Sequence, residues 1–582
     1  MGSGCLYTDE EIRRILEGSE DEDFSDGSDD MYEPTREEYD ESEDEEENSQ
    51  IEEQQVCETE FETETNQDPT WVEYILPIGR ETFIGSSGLQ NTLVIRNQDG
   101  SVAIEKIMEY FVSDEIFHCM VEKTNSYAEL LKRVRTKQFS RMSRWVDVSI
   151  EEMKKFFAVI LYMGVDKKPS IEHYWKMDPL YYCDFIHKIS MSYNRFTNIL
   201  RCWHFENVQP DNSDVLYRIQ PLVDKIIAKF RELYTPSDTI VVDESQIKHQ
   251  GRLKIKTYNP SKAHKYGIKI YKMCSTNSYT WSYSIHAGSG SAIEGLDKPG
   301  SVVVRLCLPL LNEGRLIVAD NYYTGIALAR YLKDRHTDLC GTLRKNKVKL
   351  PKDIIRKKLK RGDAVAKQMD SFVTVLKWHD KRDVLMISTC HGKEMTDVTS
   401  WRGESKKPNM VMDYNDAKKG IDVADQLSCY HSPLRKSMTW YKKVAYDLIF
   451  QTAIVNTKVI FEEATGSSIS VLDVQEAMIR HWLGDVVMKK HPARISTLPS
   501  TSSERHALTQ IPRRDGKLVR RRCVICYANK KAEGNPLLAK QHGLGVAVDE
   551  AEEEQQKVSC HAASANHVHA AAHCRHRMLC GF

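Results

Sequence analysis

The sequence predicts an α/β fold with an acidic site at its strand ends, and three stretches predict it. Thr239-Ile240-Val241-Val242-Asp243-Glu244 runs apolar residues straight into an acidic pair, the pattern of a buried strand delivering Asp243 to its carboxyl end. Leu316-Ile317-Val318-Ala319-Asp320-Asn321 repeats the device. In Gly420-Ile421-Asp422-Val423-Ala424-Asp425-Gln426, Asp422 and Asp425 stand three apart and share one helix face. Any one of these aspartates reads as a cap or turn residue. Carboxylates from two strand ends and a helix are also what a pair of hard divalent ions requires, and such a pair can clamp the attacking and leaving oxygens of a phosphodiester.

The chain begins with a segment that buries nothing. Residues 1–70 hold 28 Asp and Glu against three Arg, a composition that predicts a disordered acidic tail. The remaining residues carry 78 basic against 56 acidic side chains, so a net charge of -3 conceals a basic body suited to a polyanion. Acidic residues near the N-terminus are unlike a secretory signal, and no uninterrupted apolar run reaches the roughly 18 residues of a membrane span. These features predict an intracellular protein with reduced cysteines and no membrane partner, with Cys119, Cys202 and Cys340 as core residues.

From 100 to 238 the periodicity is helical. Ser113 opens a helix with Ile116, Phe117, Met120 and Val121 on one face. Ser149-Ile150-Glu151-Glu152 has the form of a capping box, with Val148 and Met153 placed for a hydrophobic staple. Ser192 caps a third helix, and Leu222, Val223, Ile226, Ile227, Phe230 and Leu233 make a further stripe.

After Asp243 the pattern turns to strands at 264–275 and 280–286, a helix near 300–311, the Asp320 strand, a helix at 323–333 and a strand at 338–343. That order is the connectivity of an RNase H-like α/β core, in which the first and fourth strands lie side by side and bring Asp243 to Asp320. The core spans 239–346 and resumes at 412–431. Residues 347–411, with paired strands at 372–379 and 384–389, read as an insertion lying over the acidic site. Helical signals return over 432–490.

Residues 491–520 form a basic linker, and six Arg or Lys within 513–522 fit a nuclear import signal or a DNA-backbone contact. In the Cys/His-containing terminus, 521–582, Cys523 and Cys526 have the spacing of half a zinc site.

Together these stretches resemble the piggyBac transposases, an IS4-like group, from about Tyr110 to Asn529. The matches come in family order: Ile240 to Glu244 with Gly251-Arg252, Lys265-Tyr266-Gly267-Ile268-Lys269, Asp320-Asn321-Tyr322-Tyr323-Thr324, Gly341-Thr342-Leu343-Arg344-Lys345-Asn346, and Gly420 to Gln426. The resemblance implies an RNase H-like core flanked by a split all-α dimerisation and DNA-binding domain. It implies that Asp243, Asp320 and Asp422 are the catalytic carboxylates and that Asp425 belongs to the same metal site, which holds two Mg²⁺ ions with Mn²⁺ able to substitute.

It further implies a homodimer acting in the nucleus on double-stranded DNA. A transposon end is nicked, the freed 3′-hydroxyl makes a hairpin, and the hairpin is reopened and joined at TTAA. Arg344, Lys345, Arg435, Lys436, Lys442 and Lys443 would neutralise phosphates, and Trp440 aligns with an aromatic residue near the reacting DNA. The departure lies after Asn529, where only Cys523 and Cys526 match the opening of the family's zinc-binding terminus. That departure leaves a second expectation open, a host-adopted DNA-binding or chromatin protein without catalysis.

Overall fold

The computed structural model describes residues 70–73, 78–134, 140–209, 214–260, 265–288, 291–400, 403–435 and 438–484. The acidic tail, the basic linker, Lys436, Cys523 and Cys526 lie outside the described residues.

Two short strands, β1 (Val72–Glu73) and β2 (Gly88–Leu89), precede a run of helices: α1 (Ile104–Phe111), α2 (Asp114–Val134), α3 (Ile150–Val165), α4 (Asp184–Lys188), α5 (Tyr193–Cys202) and α6 (Gln220–Leu233). Ser149 caps α3 by accepting from the Glu152 amide at 3.2 Å, and Val148 and Met153 are both buried as a staple requires. The box is closed on one side only. The Glu152 carboxylate instead takes a two-pronged ion pair from Arg195, at 2.7 and 2.5 Å, and ties α5 to α3.

The sheet follows, with β3 (Tyr234–Thr235) pairing β2, then β4 (Thr239–Lys248), β5 (Lys256–Tyr258), β6 (Tyr266–Ser275) and β7 (Thr280–Ile285). Helix α7 (Lys298–Cys307) leads to β8 (Leu316–Ala319), α8 (Ile326–Lys333) to β9 (Asp338–Thr342), and α9 (Lys352–Arg356) to β10 (Ala364–Met369), β11 (Val373–His379) and β12 (Asp383–Ser388). The ten-stranded sheet has the order β1-β10-β11-β12-β9-β8-β4-β6-β5, with β7 also on β6. β4, β8 and β9 are parallel neighbours, so the strands that carry Asp243 and lead to Asp320 lie side by side.

Residues 347–411 differ from expectation. β12 pairs β9 edge to edge, so β10 to β12 extend the central sheet instead of forming a layer over the acidic strand ends. The reason is that the free edge of β9 offers unpaired backbone groups that another antiparallel strand satisfies. The β13 (Met395–Ser400) and β14 (Gly403–Pro408) hairpin stands apart from that sheet and leads into α10 (Asn409–Cys429).

The chain closes with α11 (Trp440–Asp447), a π-turn at Leu448–Thr452, α12 (Ala453–Thr465) and α13 (Val471–Leu483). Trp440–Thr465 is long and apolar enough to cross a membrane by length and composition, but 89% of its apolar window is buried inside the protein. Phe157 of α3 meets Phe450 at 4.9 Å and Trp482 at 5.7 Å, so the two helical stretches flanking the sheet share one core. Cys202 and Cys340 are buried there and in the sheet, while Cys119 is only partly covered.

A strap at 78–90 crosses the end of the sheet away from the acids. Fully buried Arg315 holds it, donating to the Ser86, Pro236, Ser237 and Leu310 carbonyls and pairing with Glu313. Gly314, at φ 76°, leaves room for it, because a Cβ there would lie 2.0 Å from the Thr82 carbonyl oxygen.

The buried His204 joins the helical layer to α11 through the Tyr441 hydroxyl at 3.0 Å, and stacks on Tyr127 at 3.6 Å. Burial, with the Lys442 and Arg218 charges, pushes its pKa well below the ordinary value. An unfolded chain therefore binds a proton at His204 that the folded chain refuses. Stability should be fully present above the unfolded histidine pKa of about 6.5 and fall by up to about 1.4 kcal/mol for each pH unit below it. Urea unfolding at neutral and mildly acidic pH measures this, and His204→Gln should lose part of the slope.

Candidate active site

The last residue pair of the parallel β4–β8 ladder is Val242 with Ala319. The next residues, Asp243 within β4 and Asp320 just past the end of β8, therefore lie on neighbouring strands, roughly 5 Å apart across the sheet. The expectation of Asp243 at a strand end is corrected, because β6 goes on pairing β4 as far as Lys248. Asp320 is fixed in two ways. Its carbonyl accepts from the Tyr323 and Thr324 amides at 3.0 and 3.3 Å, and its carboxylate Oδ1 accepts from the Thr342 hydroxyl at 2.7 Å. Asp243 Oδ1 accepts from the Glu244 amide at 2.8 Å. Glu244 belongs to the opposite face, since side chains alternate along a strand, and it accepts from the Tyr323 hydroxyl at 2.7 Å.

Gly341 lets this arrangement close. It pairs with Ala319, and a Cβ there would lie 2.1 Å from the Ala319 carbonyl oxygen and 2.6 Å from Thr324 Cγ2. Gly420 does the same for α10, which packs across β4 and β6. A Cβ at Gly420 would come within 2.6 Å of the Ser275 carbonyl oxygen.

On α10, Asp422 and Asp425 have different surroundings despite their spacing. Asp422 is exposed. Asp425 accepts from Lys272 Nζ at 2.9 Å on one oxygen and from the Ser245 hydroxyl at 2.6 Å on the other. Both oxygens of Asp425 are thus engaged by the protein. Lys272 stands opposite Asp243 in the β4–β6 ladder, with its side chain 3% exposed. Burial works against its charge, but Asp425 and Asp447 outweigh burial and hold its pKa above the ordinary lysine range.

Lys418 stands one helical turn before Asp422. Burial opposes its charge, yet Tyr414, Asp243, Asp320 and Asp422 together hold the ammonium well above the ordinary lysine range. The charges of all three carboxylates thus bear on one ammonium. No three acidic, histidine or cysteine side chains among the described residues are spaced to hold one ion between them. Hard carboxylate oxygens such as those of Asp243, Asp320 and Asp422 are nonetheless the donor type that Mg²⁺ or Mn²⁺ takes. Lys272 and Lys418 carry no sequence signal as site residues, except that Lys418 stands four before Asp422 on one helix.

The expected phosphate contacts divide sharply. Arg344 and Lys345 are exposed, and Arg344 donates to Asn321 Oδ1 at 2.9 Å and lies over the Tyr322 ring, beside Asp320. Trp440 is half-buried at the start of α11. Arg435, Lys442 and Lys443 are buried, at 3%, 3% and 2% exposure. Lys442 donates to the Arg201 carbonyl at 2.9 Å, Lys443 to the Lys248 carbonyl at 3.0 Å, and Arg435 to the Tyr174 hydroxyl at 3.3 Å. Desolvation, with Lys248 nearby, lowers the Lys443 pKa to about 8. These three cations hold the interior together, and their placement does not present them to a phosphate.

Two aspartates thus lie on neighbouring parallel strands, with a third on a packed helix. A family model described as Transposase IS4 matches residues 105–457, more than half of the chain, and the chain belongs to that family. Within it the likeness is to piggyBac proteins. Human piggyBac transposable element-derived protein 3 is 23% identical over 401 residues, 65% of this chain and 64% of that protein. Human piggyBac transposable element-derived protein 5 is 25% identical over 266 residues, covering 43% of this chain and 49% of that one. The chain thus spans about half to just under two thirds of the length of these relatives. Among solved structures, the piggyBac transposase in a synaptic complex with hairpin DNA matches with a TM-score of 0.60 and 23% identity, over 76% of this chain and 96% of that one.

Proposed function

We propose that this chain is a DNA transposase whose RNase H-like core, built on β4, β6, β7, β8 and β9, cuts and joins DNA at TTAA through a hairpin intermediate. The observation that carries the reading is the placement of Asp243 and Asp320 on neighbouring parallel strands, with Asp422 on the helix packed across them. Asp243, Asp320 and Asp422 would hold the divalent ions. When bound, such ions lower the pKa of an attacking water or hydroxyl and stabilise the leaving oxygen. The Thr342 hydroxyl and the Glu244 amide hold the Asp320 and Asp243 carboxylates in place, and Arg344 and Lys345 offer charge to a phosphate beside them.

The helical stretches 100–238 and 432–490 serve in this reading as the split dimerisation and DNA-binding domain. Residues 513–522 direct the protein to the nucleus, and Cys523 and Cys526 contribute to a zinc site. The likeness to a piggyBac transposase in a complex with DNA supports DNA as the partner.

The test is Mg²⁺- or Mn²⁺-dependent nicking and strand joining by the purified chain on TTAA-containing DNA with candidate terminal repeats. Cleavage with hairpin formation is the expected result. DNA binding without cleavage in either metal would favour the second reading, a host-adopted DNA-binding protein. That reading draws its support from the human relatives named as transposable element-derived.

The burial difference among the cations gives a separate prediction. Lys345→Ala should reduce the salt slope of DNA binding by about one, as expected for one lost phosphate contact. Lys442→Ala should leave that slope unchanged and lower the melting temperature. Equal slopes for the unaltered chain and Lys345→Ala would remove Lys345 from the DNA surface.

A further inference from the structure

We propose that the β5–β6 ribbon is a stacking platform for unpaired DNA bases, set beside the acidic site and built on Tyr258 and Tyr266. The proposal rests on the reading of DNA as the substrate and adds which form of DNA the chain grips.

Three observations carry it. Residues 245–293, beginning directly after Glu244, hold eight Lys or Arg and no Asp or Glu. Such a stretch favours a polyanion over an acidic protein surface or a neutral one. Within it, Tyr258 and Tyr266 are directly opposed across the β5–β6 ladder, with ring centroids 4.8 Å apart. They are 45% and 46% exposed, although aromatic rings are ordinarily among the better buried side chains. Lys256 Nζ lies 5.2 Å from the Tyr266 ring and donates to the Gly251 carbonyl at 3.1 Å, while Arg252, Lys254 and Lys265 are exposed around the pair.

A cross-strand aromatic pair can stabilise a ribbon by itself. That role does not account for the ring of exposed cations, nor for β5 forming the outer edge of the sheet with its rings in water. Ring faces flanked by phosphate-binding charges are the two parts of a sequence-tolerant single-strand site: the rings stack on bases while the cations follow the backbone.

The distance fits the proposed chemistry. Lys272 is opposite Asp243, and Tyr266 lies six residues further along β6, roughly 20 Å away, a span of about six stacked nucleotides. A single strand of about six nucleotides freed beside Asp243 and Asp320 spans the distance to the rings.

The test uses the full chain and fluorescence anisotropy with two labelled probes, a short oligothymidylate and a blunt duplex of the same length. Tyr258→Ala/Tyr266→Ala should weaken oligothymidylate binding roughly five- to a hundredfold and change duplex binding by less than about twofold. Tyr258→Phe/Tyr266→Phe, which keeps the rings, should bind both probes as the unaltered chain does, and thermal melting confirms that each variant is folded. Unchanged oligothymidylate binding in the alanine variant, equal losses on both probes, or loss in the phenylalanine variant would each overturn the platform. Metal-dependent cleavage is read on the same preparation of unaltered protein. Cleavage without ring-dependent binding overturns the platform alone, and ring-dependent binding without cleavage overturns the catalytic reading alone.

Discussion

Replacing Asp243 or Asp320 by asparagine is expected to slow divalent-ion-dependent DNA cleavage on the order of a thousandfold, about 4 kcal/mol of activation free energy. The amide keeps the shape of each side chain and can still accept from the Glu244 amide or the Thr342 hydroxyl, so the strand ends stay in place. Only the charge that would hold a metal is removed. Asp425→Asn should cost far less in metal affinity, because Lys272 and Ser245 already occupy its oxygens. Single-turnover cleavage across a Mn²⁺ titration separates the cases. An Asp425→Asn defect as deep as that of Asp243→Asn, and likewise relieved by raising Mn²⁺, would make Asp425 a ligand after all. Full activity in Asp243→Asn would remove the carboxylate site from the mechanism.

Lys272→Met should destabilise the fold by about 3–5 kcal/mol, the cost of breaking a buried ion pair from one side. The substitution leaves Asp425 without its cation and removes the charge that offsets burial at Asp447, which is fully enclosed and accepts from the Tyr283 hydroxyl at 2.9 Å. Burial already raises the Asp447 pKa, and losing Lys272 raises it further. The folded variant would then keep a proton that the unfolded chain releases, so its stability should fall further as pH rises above the unfolded carboxylate pKa of about 4. Adding Asp447→Asn should recover part of the loss. The exposed pair between Arg361 and Asp380, 3.3 Å apart with side chains 73% and 43% exposed, provides the contrast. Breaking it should cost less than about 1 kcal/mol. Urea unfolding of the variants checks all three, and a Lys272→Met cost no larger than that of the surface pair would show the network to be dispensable.

The parts of this protein that were legible in its sequence are those that local pattern encodes. Apolar runs ending at Asp243 and Asp320 announced buried strands, and their order announced parallel neighbours, which the β4–β8 register realises, although β4 runs on past Asp243 to Lys248. The helical stripes of α3, α5 and α6 were legible for the same reason, since their spacing places one face in the core. Charge partners were not legible. Lys272 faces Asp243 only because β6 pairs β4 in one particular register, and Asp425 reaches Lys272 only because Gly420 lets α10 settle on the end of β6.

Arg435, Lys442 and Lys443 read as surface charge, yet their long apolar stems pack inward while their heads find backbone or hydroxyl oxygens. The reach of the sheet through β10 to β12 was hidden as well, because strand propensity does not say which edge a strand will join. The sequence by itself determined which elements form and which acids stand at their ends, since periodicity and composition act over a few neighbouring residues. The tertiary structure alone decided which charges meet and which are buried, because those energies depend on the distance and solvent exposure of groups that are remote along the chain.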